Sequence, residues 1–426
     1  MDQINKGLLN VGSAGLSERA GRAGASPINV MMARVLADPD LISLAPGFVD
    51  YETLPVEEVR EAAGALLADE STARAALQYG TTTGVTELRE MLANRVAAMD
   101  DRTGDYEADD VIVGTGSQQI LYLLIEVLTD PGDIVILGHP SYFVFMDALR
   151  AGGVSCRAVP LDENGLRTDL LSELVEELDA TGALARVKLI YTVSYFQNPT
   201  GISLSAARRR RLYEIVQRFC PSAHIVEDAA YRELRYDGDD VASIRSYDEA
   251  GETVIYLGTF SKSFSPGLKT GYGLLPKAIA RPLANLKGAH DFGSSNFTQH
   301  LCCEIMKRGF ADTHAEVLRQ SYRKRRDLMR TALDEAMPGE VKRTDPHGGL
   351  YFWLTLPERV ETGPDSKLFK TALEKAMLYV PGEFCFAPGS GLEIPTNCIR
   401  LSFGVGKPEK ITEGVHRLAE ALRTCL

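Results

Sequence analysis

The stretch Gly258-Thr-Phe-Ser-Lys-Ser-Phe-Ser-Pro-Gly-Leu-Lys-Thr-Gly-Tyr272 places Lys262 just after an apolar run, Val254-Ile-Tyr-Leu257. That run reads as a buried strand. Around the amine lie two hydroxyls, Thr259 and Ser261, a Pro-Gly turn, and a second cation, Lys269. A lysine held where a strand meets a polar turn can form an imine with a carbonyl group. Hydroxyls and a cation beside it can hold a phosphate. Ser-Lys in a loop also fits an ordinary solvated turn, so the reading depends on what accompanies it.

The company is extensive. Upstream lie Glu227-Asp228-Ala-Ala-Tyr231, Gln197-Asn-Pro-Thr-Gly201, Pro140-Ser-Tyr142 and Gly114-Thr-Gly-Ser-Gln-Gln119; downstream lies Ile399-Arg-Leu-Ser-Phe403. In this order the motifs resemble those of the fold-type-I pyridoxal phosphate enzymes, the class I and II aminotransferases. Within them the chain is most similar to the branch of the α-aminoadipate and kynurenine aminotransferases. The resemblance runs from about Ser43 to Phe403. It implies pyridoxal 5′-phosphate as cofactor, bound to Lys262 as a Schiff base, the one ligand that needs both an imine and a phosphate cup. It also implies amino-group transfer between an L-amino acid and a 2-oxo acid, with 2-oxoglutarate and glutamate as one pair, in a homodimer.

The middle of the chain alternates apolar strands (111–113, 134–137, 154–159, 188–193, 224–227, 254–257, 272–275) with helical segments (118–128, 142–151, 168–178, 205–219). Short, nearly continuous apolar strands between helices predict an α/β fold: a three-layer, mainly parallel sheet with helices on both faces. In such sheets ligands bind beyond the carboxyl ends of the strands. Every motif quoted above except the one around Arg400 lies at or just after such an end. Beyond about residue 300 the pattern becomes a long charged helix (296–336), a strand-like run (348–354), a helix (366–378), Val380-Pro-Gly382 and 399–403. These predict a smaller α+β domain, and the resemblance implies that the N-terminal residues join it. The expected division is 50–300 for the large cofactor-binding domain and 1–49 with 301–426 for the small one. The Gly-, Ala- and Ser-rich segment 12–26 is expected to be mobile without ligand.

The chain has 426 residues, 45% apolar and 24% charged, which fits a soluble protein with more than one core. A net charge of −12 disfavours nucleic acid or anionic membrane as a partner. The run Arg208 to Arg211 is the local exception and reads as a solvated helix face. No secretory signal is apparent, and no apolar run approaches the roughly 18 residues that span a bilayer. Seven cysteines are scattered without metal-ligand spacing, and adjacent Cys302 and Cys303 suit a packed helix. A cytoplasmic protein with no structural metal is the expectation.

The resemblance assigns roles residue by residue. The freed amine of Lys262 would move a proton from the substrate α-carbon. Asp228 would pair with the pyridine nitrogen and keep it protonated, although Asp there also fits a helix N-cap. Tyr231 and Asn198 would donate to the ring's 3′ oxygen, and the resemblance allows a cis bond before Pro199; a plain turn explains Asn-Pro-Thr-Gly equally well. Ser117 and Gln118 would open a helix whose free N–H groups meet the phosphate, with Thr259, Ser261 and Lys269 completing the cup. Lys269 stands where the family usually has arginine, so a point charge replaces a bidentate fork. Tyr142 would stack on the pyridine, although an aromatic beside Phe143 and Phe145 also fits a core. Tyr79 would reach the phosphate in the neighbouring subunit, making the site shared. Arg400, a charge inside an apolar run, would bind the substrate α-carboxylate, assisted by Asn198 and the backbone of Gly47; an internal salt bridge is the alternative.

The side-chain pocket is less legible. In the resembling branch an N-terminal arginine greets acidic side chains, and both Arg19 and Arg22 lie in that segment. Phe48, Tyr51 and Phe292 leave room for a large side chain, so aromatic or dicarboxylic donors are expected. Two rivals stand. A lyase, decarboxylase or cyclase would use the same residues on the same scaffold. A transcription regulator built on this scaffold would need a basic DNA-binding module ahead of Leu77, where only acidic patches and the Pro46-Gly47 segment appear.

Overall fold

A computed structural model describes residues 15–24, 38, 40–102 and 104–426. Its centre is an eight-stranded sheet: β1 (Val111–Thr115), β2 (Ile134–His139), β3 (Ser155–Asp162), β4 (Gly165–Leu166), β5 (Val187–Val193), β6 (His224–Asp228), β7 (Val254–Thr259) and β8 (Thr270–Leu274). The spatial order is β1-β8-β7-β6-β5-β2-β3-β4. The stretch β7-β6-β5-β2-β3 is parallel. β8 runs antiparallel to both its neighbours, β1 and β7.

Successive residues of the central strands enter two separate cores. Ile134, Ile136, Ile190, Ile225 and Val254 pack in one cluster with Leu171, Leu174, Leu212 and Ile215 from helices Thr168–Ala180 and Ala206–Phe219. Their sequence neighbours Val135, Leu137, Leu189, Val226 and Ile255 pack in the other, with Ile120, Leu124 and Leu149 from helices Ser117–Leu128 and Phe143–Gly152. Side chains alternate across a strand, so strands that are apolar at every position must be covered on both faces. The predicted three-layer, mainly parallel sheet is the fold observed.

A second sheet of four antiparallel strands has the order Lys342–Arg343, Tyr351–Thr355, Cys398–Ser402, Val380–Pro381. Ile42–Ser43 pairs in parallel with Met377–Leu378. The amide of Ser402 then donates to Leu44 O at 2.6 Å, which draws Ala45 to Gly47 alongside this sheet.

Three sequence expectations need correction. The helix expected over 296–336 is two, Asn296–Lys307 and Phe310–Ala336, broken at Gly309, whose φ of 71° is left-handed. The helix expected over 366–378 stops at Glu374, because Met377 and Leu378 leave it to pair with Ile42–Ser43. The arginine run is not a solvated face throughout. Arg209 is fully buried and donates to the carbonyls of Leu204, Ser194, Val241 and Ala242. It lies 3.7 Å from the buried carboxylate of Glu227, while Arg208 pairs with Asp162 at 2.5 Å.

Candidate functional site

The carboxyl ends of β1, β5, β6 and β7 converge on a cavity of about 360 Å³. β7 ends at Thr259, and a single helical turn, Phe260–Ser263, presents Lys262 to the cavity. Lys262 Nζ donates to Gly47 O at 2.8 Å. Lys262 is half-buried and lines the cavity, deep enough to lose much of its hydration. This burial, with added repulsion from Arg400 and Lys269, outweighs Asp228 and pulls the amine down to about 8. It is therefore a far better nucleophile and base at neutral pH than an exposed lysine.

Asp228 is the last residue of β6 and faces the cavity. No helix follows it, so the N-cap alternative falls. Its Oδ1 accepts from the amide of Ala230 at 3.1 Å and its Oδ2 from the hydroxyl of Tyr191 at 3.0 Å. Burial raises its carboxyl above the ordinary value, opposed by those hydrogen bonds and by Lys262. Glu227, one residue earlier, faces the opposite side toward Ser194 and Arg209.

At the mouth of β1, Gly116 has a φ of 75° and the helix Ser117–Leu128 begins. Its first amides are free of intrahelical partners and carry the positive end of the helix dipole. β8 must pass close beneath: a Cβ on Gly271 would meet Ser117 N at 2.2 Å, so only glycine fits. Thr259 Oγ1 accepts from the amide of Ser261 at 3.1 Å. Lys269 follows the turn Pro266–Leu268 with a left-handed φ of 49° and borders the same cup, exposed. Two amides, two hydroxyls and a cation make a receptor for a phosphate dianion. Gln118 lines this end, and its buried Oε1 has no protein partner.

The second sheet supplies the other wall. Arg400 is 1% exposed, and its NH1 and NH2 donate to Asn198 Oδ1 and Ala45 O, both at 2.7 Å. No carboxylate pairs with it among the described residues, which removes the internal salt bridge. Its Nε is buried with no partner. The carbonyl of Ala45 thus helps fix the guanidinium, while the carbonyl of Gly47, which lines the cavity, accepts from Lys262. Asn198 precedes Pro199 through a cis peptide.

The cavity thus gathers Gly47, Ser117, Gln118, Tyr142, Asn198, Asp228, Tyr231, Thr259, Ser261, Lys262, Lys269 and Arg400. Tyr79 is absent from its lining and is 82% exposed, its ring edge-on to Phe292 at 5.6 Å. Arg19 and Arg22 are absent too: Arg19 pairs with Glu126 over the ring of Tyr122, and Arg22 donates to Ala151 O at 3.3 Å. Both belong to the helix Glu18–Arg22; of segment 12–26, residues 12–14, 25 and 26 lie outside the described residues. Of the expected gate aromatics, Phe48 lines the cavity and Tyr51 and Phe292 do not. Sequence reasoning missed Tyr191 behind Asp228 and Tyr351 beside Tyr231, aromatics indistinguishable from core residues in their apolar strands.

Residues 39–418 match the family described as aminotransferase class I and II. The chain is 38% identical to aromatic-amino-acid aminotransferase 1 of Thermococcus litoralis, over 96% of this chain and 94% of that one. It superposes on the crystal structure of Pyrococcus horikoshii kynurenine aminotransferase in complex with PMP, with a TM-score of 0.90 and 34% identity over 98% and 99% of the two chains. It likewise superposes on LysN, the α-aminoadipate aminotransferase of Thermus thermophilus complexed with N-(5′-phosphopyridoxyl)-L-leucine, with a TM-score of 0.84 and 34% identity over 97% and 98%.

Proposed function

The chain belongs to the class I and II aminotransferases and is a pyridoxal 5′-phosphate enzyme that transfers amino groups between amino and oxo acids; from that premise we propose which residues do the work and which donors it prefers. The donor set fits the cofactor: an anion cup, a carboxylate and a lysine whose burial favours the neutral amine all line one cavity. When bound, pyridoxal 5′-phosphate supplies an aldehyde that captures the amino group and a ring that accepts electrons from the α-carbon.

In our reading, Ser117, Gln118, Thr259, Ser261 and Lys269 hold the phosphate. Asp228, itself fixed by Tyr191, keeps a proton on the ring nitrogen. Tyr142 packs on the ring face, and Tyr231 and Asn198 donate to the 3′ oxygen. Arg400 takes the substrate α-carboxylate, which orients the α-hydrogen toward Lys262. Lys262 Nζ would then remove that proton and deliver it to the carbon on the far side of the amino nitrogen. The observation that carries this reading is the amine of Lys262, pulled down to about 8 inside a cavity that also holds Asp228 and Arg400. The quoted relatives are all named for amino-group transfer, which does not favour a lyase, decarboxylase or cyclase.

For the donor we favour aromatic amino acids, with 2-oxoglutarate as acceptor. The cations lining the cavity are Lys262, Lys269 and Arg400, each with a role already, and Phe48, Tyr142, Phe143 and Tyr351 supply flat apolar walls. Arg19 is engaged with Glu126 and would have to leave it to meet the second carboxylate of 2-oxoglutarate, whereas an aromatic donor needs no further cation. We further propose a homodimer whose Tyr79 completes the partner's phosphate cup; exposed Tyr51, Val56, Leu77, Tyr79 and Phe292 supply the apolar surface for it. The small part (1–49, 301–426) is taken to close on the large one (50–300), since Arg400 and Lys262 come from different sheets. No helix among the described residues is long and apolar enough to cross a membrane. That and the seven free cysteines support a cytoplasmic enzyme of amino-acid metabolism, and the net charge of −12 tells against a nucleic-acid partner.

The test is the visible absorption of the cofactor-loaded protein, titrated with single amino acids. Phenylalanine, tyrosine or kynurenine should bleach the band at lower concentration than aspartate or 2-aminoadipate. Preference for a dicarboxylic donor would overturn the specificity; a protein that takes up no cofactor would overturn the site.

A further inference from the structure

Tyr351 lies where the two halves of the site meet. In the second sheet Trp353 pairs opposite Arg400 and Tyr351 opposite Ser402. Tyr351 and Arg400 are therefore diagonal neighbours on one face, within reach for an aromatic and a long side chain. The Arg400 guanidinium carbon stands 4.4 Å from the centroid of the Tyr351 ring. Tyr351 is 1% exposed, yet its hydroxyl lies 3.1 Å from the hydroxyl of Tyr231, and the rings meet edge to face at 5.9 Å. The notch that admits this hydroxyl is Gly47: a Cβ there would lie 2.1 Å from the Tyr351 oxygen. One side chain thus touches the arginine assigned to the substrate, the tyrosine assigned to the cofactor, and the segment that holds Lys262.

We propose that Tyr351 is a positioning residue: its hydroxyl donates to Tyr231, and its ring holds the plane of Arg400. The proposal rests on the reading of Tyr231 and Arg400 given above. A hydroxyl has one proton. If Tyr231 received none, its own could be spent on Tyr351; with Tyr351 donating, Tyr231 keeps its proton for the 3′ oxygen of the cofactor. A hydroxyl that accepts a hydrogen bond also donates a stronger one. Both effects favour negative charge on that oxygen and so lower the pH at which the loaded enzyme loses its chromophore proton. The other ionisable groups facing the pair are Tyr142, Arg400, Lys262 (5.9 Å from the Tyr231 ring) and Tyr191 with its partner Asp228.

The experiment is a pH titration of the visible band of the loaded enzyme, with KM and kcat for an aromatic donor alongside. Tyr351→Phe keeps the ring, and its band midpoint should rise by about 0.3–0.5 pH unit while KM stays within about 2-fold. Tyr231→Phe should raise the midpoint further, and adding Tyr351→Phe to it should add nothing, since Tyr351 acts through Tyr231. Tyr351→Leu removes the ring from Arg400 and should raise KM by about 2- to 30-fold, the range of a cation–π contact from exposed to desolvated. A Tyr351→Phe midpoint equal to wild type, with Tyr231→Phe shifted, overturns the hydroxyl's role alone. A Tyr231→Phe midpoint equal to wild type overturns the assignment of Tyr231, and this proposal with it. An unchanged KM in Tyr351→Leu overturns the role of the ring.

Discussion

The amine of Lys262 donates to the carbonyl of Gly47 over 2.8 Å, joining segments 215 residues apart in the chain. A carbonyl tolerates a neutral amine as donor as well as a charged one, and burial with two neighbouring cations disfavours the charge. The folded value lies below the ordinary one, so the neutral fraction grows as pH rises through about 8 rather than through the range of an exposed lysine. The rate at which the apo protein captures pyridoxal 5′-phosphate should therefore be half-maximal near that pH. A profile still climbing above pH 10 would contradict it. Lys262→Ala should fold, bind the cofactor non-covalently and lose turnover by at least about 10²–10⁴-fold, the contribution of a positioned base alone.

Asp228→Asn tests the centre of the cavity. A carboxylate against a ring nitrogen supports its protonation by about 1–3 pK units, each a factor of ten. Turnover should fall about 10- to 1,000-fold. Stability should hold or rise slightly, because burial already penalises this carboxylate and Asn keeps an acceptor for the amide of Ala230. Wild-type turnover in this variant would remove Asp228 from the chemistry.

Much of the candidate site was legible because the proposed catalytic groups sit where apolar strands stop. Lys262, Asp228 and Ser117 each interrupt or follow a run that has no structural need for them, so polarity stands out against pattern. Tyr191 and Tyr351 sit inside such runs, where an aromatic is the ordinary core choice, and their hydroxyls matter only through contacts the fold creates. Arg209 was misread for a different reason. Basic neighbours on a helix look alike in sequence, yet Glu227 and Asp228 are adjacent in a strand and must face opposite sides. Two buried carboxylates therefore needed two polar environments, and Arg209 serves the second. That signal was in the sequence, in the parity of the strand rather than in the arginine run.

Arg209→Leu follows from this parity. It strands the buried Glu227 and frees four carbonyl acceptors, the case in which breaking a buried pair costs about 3–5 kcal/mol. Thermal scanning should show a marked drop in the unfolding midpoint. Arg210→Leu, on the exposed side of the same helix, should leave it unchanged. Equal midpoints for the two variants would return the whole run to the surface.

Substitutions at Lys269 test how firmly the proposed cup holds the phosphate. The Lys269 backbone is left-handed at the end of a tight turn, so the side chain starts from a fixed point on the rim of the cup. From there a lysine offers one compact charge with mobile donors, whereas arginine offers a planar fork that two phosphate oxygens can accept together. Lys269→Arg should tighten cofactor binding by about 3- to 10-fold, and Lys269→Ala should weaken it by at least as much. The two variants differ in a second respect. Arginine keeps the positive charge that helps depress Lys262, while alanine removes it and lets the amine of Lys262 rise. The pH profile of cofactor capture should accordingly stay near about 8 in Lys269→Arg and move upward in Lys269→Ala. Fluorescence titration of the apo variants with pyridoxal 5′-phosphate reads the affinity. If Lys269→Ala binds as tightly as wild type, the helix N-terminus and the hydroxyls hold the phosphate without it.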